Sequence, residues 1–193
     1  MSILLNLSGT LELMFGRESG LQKIDLSADG FWRSFIGLGL AGGIDATTLF
    51  IVHSISPDQT YFPYPPTALA MFLYVGIYFI SYLASLLALY FLCTSDELRQ
   101  RFPTAVIVGN WAASIFSFAL LLPLTILSQD SFQNDSSVIS FAVVCFFGLI
   151  LAISLRLYKI TLAINTSRAI VFLVATGVVM GILQNWLGGM AGW

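Results

Sequence analysis

The residue with the clearest chemical potential is Asp45, a carboxylate inside the apolar run 35–52. At about 1.5 Å per residue, this run makes a helix of roughly 27 Å, close to the hydrocarbon thickness of a bilayer. Asp45 would then lie roughly 15 Å deep, where a charged side chain costs at least about 2.5 to 3.5 kcal/mol. We therefore expect the Asp45 side chain to face protein or water rather than lipid.

Two hydroxyl side chains are expected at the depth of Asp45. Tyr78 lies about 15 Å from the outer end of the second predicted span, and Ser114 lies about as deep from the inner end of the third. Both hydroxyls can donate a hydrogen bond to a carboxylate. Two interpretations follow. The hydroxyls hold helices together, at about 0.6 kcal/mol each, or they surround a proton or cation site in which Asp45 titrates.

The composition identifies an integral membrane protein. Apolar residues make up 58% of the chain and charged residues only 9%, whereas a soluble domain carries roughly a quarter charged residues. Apolar runs at 35–52, 68–93, 104–127, 138–155 and 169–187 are long enough to span a bilayer. We predict an all-α, polytopic transmembrane bundle of five spanning helices in residues 31–193, preceded by a segment, 1–30, with a short interfacial helix.

Local signals predict where the chain turns. Gly16 and Gly20 are expected to break the N-terminal helix, and the segment 25–30 reads as a turn with an N-cap. Pro103 is expected to end the loop between spans two and three. A further loop is expected around Arg156, Lys159 and Arg168.

The basic residues support five spans independently. All eight fall before span one, between spans two and three, or between spans four and five; they are Arg17, Lys23, Arg33, Arg99, Arg101, Arg156, Lys159 and Arg168. The opposite loops, 53–67 and 128–137, contain none. The positive-inside rule then predicts a cytoplasmic N-terminus and a C-terminus on the opposite side of the membrane. From the compactness of the chain we expect a multi-pass protein of a bacterial inner membrane, which makes the C-terminus periplasmic.

Two small-residue motifs predict helix packing. Gly39 and Gly43 in span one, and Gly177 and Gly181 in span five, both form G-x-x-x-G, which lets helix backbones approach closely. The two motifs could pack against each other or across a dimer interface, and both alternatives stay open.

Motifs of enzymes and cofactor sites are absent from the sequence. It contains no H-E-x-x-H, G-x-S-x-G or Walker A motif, and its single histidine, His53, makes a zinc site of ordinary ligation implausible. We predict no catalytic residues, no metal, no cofactor and no nucleic-acid binding. The expected partners are membrane lipids, with a second copy of the chain or another membrane protein as alternatives.

Five spans, an acidic-Gly-aromatic-Trp entry at residues 25–32 and the segment YKITLAINTSRAI at 158–170 resemble the Yip1 family of membrane proteins. The resemblance covers roughly residues 20 to 187. In eukaryotic members the entry looks like Asp-Leu-x-Gly-Pro followed by an aromatic; here Asp25 and Leu26 match, Gly30 is displaced by two residues and no proline follows. The family is associated with vesicle traffic, binding of small GTPases and membrane shaping. The resemblance implies the fold and a membrane location for this chain.

Together these observations predict a non-catalytic scaffold or a lipid- or protein-interacting membrane component of Yip1-like type. The alternative is a small proton- or cation-linked transporter or channel subunit that uses Asp45. A scaffold should be tightly packed around Asp45, whereas a transporter should contain a cavity that reaches it.

Overall fold

The computed structural model describes residues 2–55, 67–127 and 136–190, and these residues form helices and short turns without a strand. Most of both predicted outer loops, at 56–66 and 128–135, lies outside the described residues. The helices are α1 (Ile3–Met14), a 3-10 helix (Glu18–Lys23), α2 (Ala28–Ile55), α3 (Ala68–Leu92), α4 (Asp96–Leu127), α5 (Ser136–Leu162) and α6 (Thr166–Met190). Helices α2 to α6 are each long and apolar enough to span a membrane, which confirms the predicted fold class.

Helix α4 begins earlier than predicted. Ser95 caps it, since the N–H of Leu98 donates to the Ser95 hydroxyl at 3.3 Å, and Asp96 and Glu97 place negative charge in the first turn, where the helix dipole favours it. Pro103 therefore lies inside the helix, and the prediction that it ends the loop is wrong. The cap and the two acidic residues set the start of the helix, while the proline removes one backbone donor inside it.

Helix α5 also runs beyond its predicted end, so that Arg156 and Lys159 project from its last turns and the loop predicted around them is wrong. Cations are favoured at this position by the negative end of the helix dipole. The actual turn is short. Ala163 has a left-handed φ of 51°, and Asn165 then caps α6 by accepting the N–H of Arg168 at 2.9 Å.

The five long helices form a closed ring in the order α2, α4, α5, α6, α3, with α3 returning to α2. The most extensive interface joins α2 to α4, two helices that run in the same direction, and the next joins α3 to α6. Because the helices alternate in direction, the N-terminal segment and the helix ends that carry the eight basic residues share one end of the ring. We call this the basic end.

At the basic end, α1 and the 3-10 helix form a pair that we call the N-terminal hairpin, residues 2–24. Gly16 turns the chain with φ +84°, as predicted. The prediction that Gly20 also breaks a helix is wrong, because Gly20 lies within the 3-10 helix and is buried against Gly9. A side chain at either glycine would meet the backbone oxygen of the other, so this close approach requires glycine.

Polar contacts fix the hairpin and the start of α2. Lys23 donates to the carboxylate of Glu12, and this hydrogen bond lowers the pKa of Glu12 below its ordinary value. Asn6 accepts the backbone N–H of Asp25 at 2.9 Å. The Ser27 hydroxyl donates to Asp25 and accepts the N–H of Gly30 at 3.1 Å, so that Ser27 is the cap of α2. The predicted turn and N-cap at 25–30 are thus confirmed.

Candidate functional site

Asp45 lies on α2 where this helix faces both α3 and α4. The Ser117 hydroxyl of α4 lies near enough to interact with its carboxylate. From α3, Tyr74 and Tyr78 lie near enough to interact electrostatically with it. The side chain is half-buried rather than enclosed. A carboxylate and three hydroxyl side chains therefore meet at the junction of three helices.

The structure brings Tyr78 to Asp45 but places Ser114 elsewhere. The Ser114 hydroxyl donates to the backbone carbonyl of Gly37 on α2 at 2.5 Å, and Ser117, one helical turn further along α4, takes the position by the carboxylate. Depth along a helix can be counted from the sequence to within about a turn. Which residue faces a neighbouring helix depends on the rotation of each helix about its own axis, and counting residues along the helix gives no information on that rotation.

Polar side chains of α4 also contact α2 at other positions along the interface of the two helices. Near the basic end, Asn110 donates from its amide nitrogen to the Ser34 hydroxyl at 2.7 Å, and Ser34 in turn donates to the carbonyl of Phe31. Both side chains are completely buried. With the contacts of Ser114 and Ser117, three successive polar contacts fix the register of α2 against α4.

A stripe of tyrosines on α3 connects Asp45 with the centre of the ring. Tyr78 and Tyr82 stack with their ring centroids 6.5 Å apart and their planes 16° apart. Tyr82 in turn lines a cavity of about 270 Å³ enclosed by α3, α4, α5 and α6. Its hydroxyl approaches Gly109 of α4 so closely that an added Cβ there would lie 3.3 Å from it.

This cavity, which we call the central cavity, has a mainly apolar lining that also includes several hydroxyl side chains. Most of its lining is aliphatic, and its polar side chains include Ser85, Tyr158, Thr161 and Thr176. The hydroxyls of Tyr158 and Thr176 are bonded to each other at 3.2 Å. The lining lies in the half of the ring nearer the basic end and does not include Asp45. The stacked rings of Tyr78 and Tyr82 therefore connect the Asp45 carboxylate with this cavity.

The outward surface of α1 is apolar, although polar residues occupy its inner face. Asn6 and Thr10 are buried toward the protein, while large apolar side chains point away from it: Ile3, Leu4, Leu5, Leu11 and Phe15. Phe15 is 79% exposed. The sequence showed the apolar residues of this helix, but its polar inner face was missed, because Asn6 and Thr10 carry no signal of burial by themselves.

The glycines of both predicted packing motifs face away from the rest of the chain. Gly39 and Gly43 on α2, like Gly177 and Gly181 on α6, have nothing within 4 Å of the position of an added Cβ. The ring order also separates α2 from α6. The two motifs therefore do not pack against each other within the described residues, and the dimer alternative stays a prediction.

Comparison with known proteins returns no relative on which to base a function. No family model matches the chain, and neither curated proteins nor solved structures include a significant match. The chain is an integral membrane protein on the strength of its own five spanning helices, and its resemblance to the Yip1 family stays a prediction.

Proposed function

We propose that this protein is a non-catalytic membrane scaffold that engages the lipid leaflet at its basic end through the N-terminal hairpin. We place that end in the cytoplasm, in accordance with the positive-inside rule, and the five-helix ring in a bacterial inner membrane, in accordance with the compactness of the chain. The Yip1 resemblance agrees with such a role. The single observation that carries the proposal is the apolar outward surface of α1.

The physical argument starts from the length of α1. Its 12 residues make a helix of about 18 Å, too short to cross a hydrocarbon core of about 30 Å. Its polar side chains Asn6 and Thr10 are buried and Glu12 is bonded to Lys23, so the side chains of the helix that are fully exposed are all apolar. A contiguous apolar surface of this kind is costly in water and is typical of a helix at the membrane interface. The hairpin would therefore occupy one leaflet only.

Helix α1 is also firmly joined to the ring. Leu13 and Met14 are buried in one apolar cluster with Ile107 and Trp111 of α4 and Leu157 of α5. The C-terminal carbonyl of Met14 accepts a hydrogen bond from Arg156 at 3.1 Å. A hairpin attached to two spanning helices transmits its position in the leaflet to the ring, which suits a scaffold.

The experiment measures where Phe15 lies. A spin label at Phe15→Cys, in protein carrying Cys93→Ala and Cys145→Ala and reconstituted in liposomes, should collide with oxygen more than with a water-soluble nickel complex. The matched control is Gln22→Cys, an exposed position on the 3-10 helix, which should show the opposite preference. Equal access of the nickel complex to both labels would contradict the proposal.

One observation favours a second candidate, a proton- or cation-linked transporter. Asp45 is a carboxylate in a spanning helix, and its contacts with Ser117 and the α3 tyrosines provide hydroxyls through which a proton could pass. Carboxylates within spanning helices commonly mark ion and proton pathways.

Proton flux in liposomes separates the two candidates. For a scaffold, we expect no proton flux above that of empty liposomes when a pH gradient is imposed and an internal dye reports the pH. Asp45→Asn, which preserves the shape of the side chain, should change nothing. A flux in the unaltered protein that falls at least about ten-fold in Asp45→Asn, a loss of about 1.4 kcal/mol of barrier lowering, would instead establish the transporter.

A further inference from the structure

We infer that the protein binds one anionic phospholipid in a groove between α1, α4 and α5, with its acyl chain against the ring and its phosphate at the basic end. This inference rests on the proposed position of the hairpin in the leaflet. It goes beyond that proposal because it names a ligand class and the side chains that select it.

The apolar part of the groove has the shape and the lining that an acyl chain requires. It has a volume of about 320 Å³ and lies between the C-terminal part of α1 and the facing sides of α4 and α5. On α5 its lining extends from Phe146 to Ile153, which is about 10 Å along the helix. Met14, the last residue of α1, and Phe15 directly after it line the same groove.

A second groove, of about 800 Å³, continues from the first at the basic end. The two share Ala152 and Arg156 in their linings, so they are contiguous along α5. Arg156 lies about one turn and Lys159 about two turns further toward the basic end than Ile153, and both line the groove together with Gly16 and Leu21 of the hairpin. A lipid whose chain followed the apolar groove would bring its phosphate to this height.

The charge of the second groove selects an anionic headgroup. Its lining contains the cations Arg101, Arg156 and Lys159 and one carboxylate, Glu18. Since Arg101 is also paired with Glu97 at 3.5 Å, the groove keeps one net positive charge, contributed by Arg156 and Lys159 against Glu18. Basic pockets between spanning helices on the cytoplasmic side are typical sites for acidic headgroups. A zwitterionic lipid brings its own ammonium group, so the excess positive charge favours a lipid with net negative charge.

Arg156 is already oriented for this contact. One N–H of its Nη1 donates to the carbonyl of Met14, and the Arg156 guanidinium lies beside the Gly16 turn. A guanidinium carries five N–H donors in a fixed plane, so one bond to the hairpin orients it and leaves donors for two phosphate oxygens. Lys159 adds a point charge one turn away.

The test uses purified full-length protein and native mass spectrometry, with phosphatidylglycerol and phosphatidylcholine as probes in separate titrations. Phosphatidylglycerol should bind at a stoichiometry of one, at least about ten-fold more tightly than phosphatidylcholine. Lys159→Gln should lower the phosphatidylglycerol affinity about ten-fold, as expected for one charge-assisted hydrogen bond. The matched control is Arg168→Gln, which removes an exposed basic residue at the same end that does not line either groove.

A second pair of variants tests the acyl-chain part without touching charge. Ile150→Trp fills the apolar groove, whereas Leu151→Trp adds the same bulk to an exposed neighbour outside it. We expect the first substitution to lower the affinity for phosphatidylglycerol and the second to leave it unchanged. Arg156 is not the test residue, because its loss would also release the hairpin.

Several outcomes would overturn the inference. Equal affinity for both lipids would show that the groove does not select an anionic headgroup. Equal losses from Lys159→Gln and Arg168→Gln would show only general attraction to charge. Inorganic phosphate that competes fully with the lipid would show a phosphate site rather than a lipid site. A Phe15 label in lipid together with equal affinities overturns this inference alone, whereas a Phe15 label in water overturns the proposed function as well.

Discussion

Gly37→Val is expected to destabilise the bundle strongly, whereas Gly39→Val in the same helix should leave its stability nearly unchanged. A Cβ at Gly37 would lie 2.9 Å from the backbone oxygen of Asn110, 2.9 Å from the Trp111 ring and 3.2 Å from the Ser114 hydroxyl. The backbone and the buried ring cannot move aside without separating α2 from α4. Gly39 has open space around its Cβ position.

Two opposing contributions to the free energy of unfolding decide whether Gly37→Val stabilises or destabilises the bundle. A residue other than glycine loses less conformational entropy when the helix forms, which stabilises the helix by up to about 1 kcal/mol. Overpacking of a tight core, however, costs about 1 to 3 kcal/mol. The substitution would also break the hydrogen bond from Ser114 to the Gly37 carbonyl, which contributes about 1 kcal/mol. Thermal unfolding in detergent, followed by circular dichroism, measures both variants. Equal midpoints would show that α2 does not approach α4 as closely as described.

Trp111→Ala should have the largest effect of any single truncation, with a loss of about 3 to 5 kcal/mol. Trp111 is 1% exposed and belongs to the cluster that joins the hairpin to α4 and α5. Its removal leaves a cavity beneath Leu13 and Met14, so the hairpin should detach before the ring unfolds. Trypsin cleavage after Arg17 or Lys23 measures this detachment, and the cleavage rate should rise by at least about ten-fold.

Two other variants control for the loss of an aromatic side chain. Trp186→Ala removes an indole that is 60% exposed on α6 and should leave the trypsin rate unchanged. Trp111→Phe keeps most of the buried area, and the Trp111 indole N–H has no hydrogen-bond partner among the described residues, so this variant should cost much less than alanine. If Trp111→Ala is cleaved no faster than Trp186→Ala, the hairpin is not held by this cluster.

The number of spans could be predicted because two signals, the lengths of the apolar runs and the positions of the basic residues, are read along the sequence without knowledge of the packing. A run of about 18 apolar residues identifies a helix of spanning length whatever surrounds it, and the distribution of arginine and lysine confirmed the count. The ends of the helices were less certain. At Pro103 the proline indicated a loop, but the cap at Ser95 and the acidic first turn favour a helix that starts before it.

The arrangement of helices could not be predicted, because it depends on which faces meet. The repeated glycines at positions 39 and 43 were visible in the sequence, yet Gly37 and Gly42 are the glycines of α2 that approach other helices. A G-x-x-x-G motif indicates a helix face that another backbone can approach closely, but it does not indicate which helix packs there. The same limit explains why Ser117 rather than the predicted Ser114 lies beside Asp45.

The ring order has a consequence for how the chain is assembled during synthesis. Of the five spans, α2 is made before the others, but its main partner, α4, is made only after α3. While it waits, the Ser34 hydroxyl can remain bonded to the Phe31 carbonyl of its own helix, whereas Asp45 has its Ser117 partner only on α4. Spanning helices can form singly before they associate. Completion of the ring, including the extensive contact of α3 with α6, must therefore await the synthesis of α6.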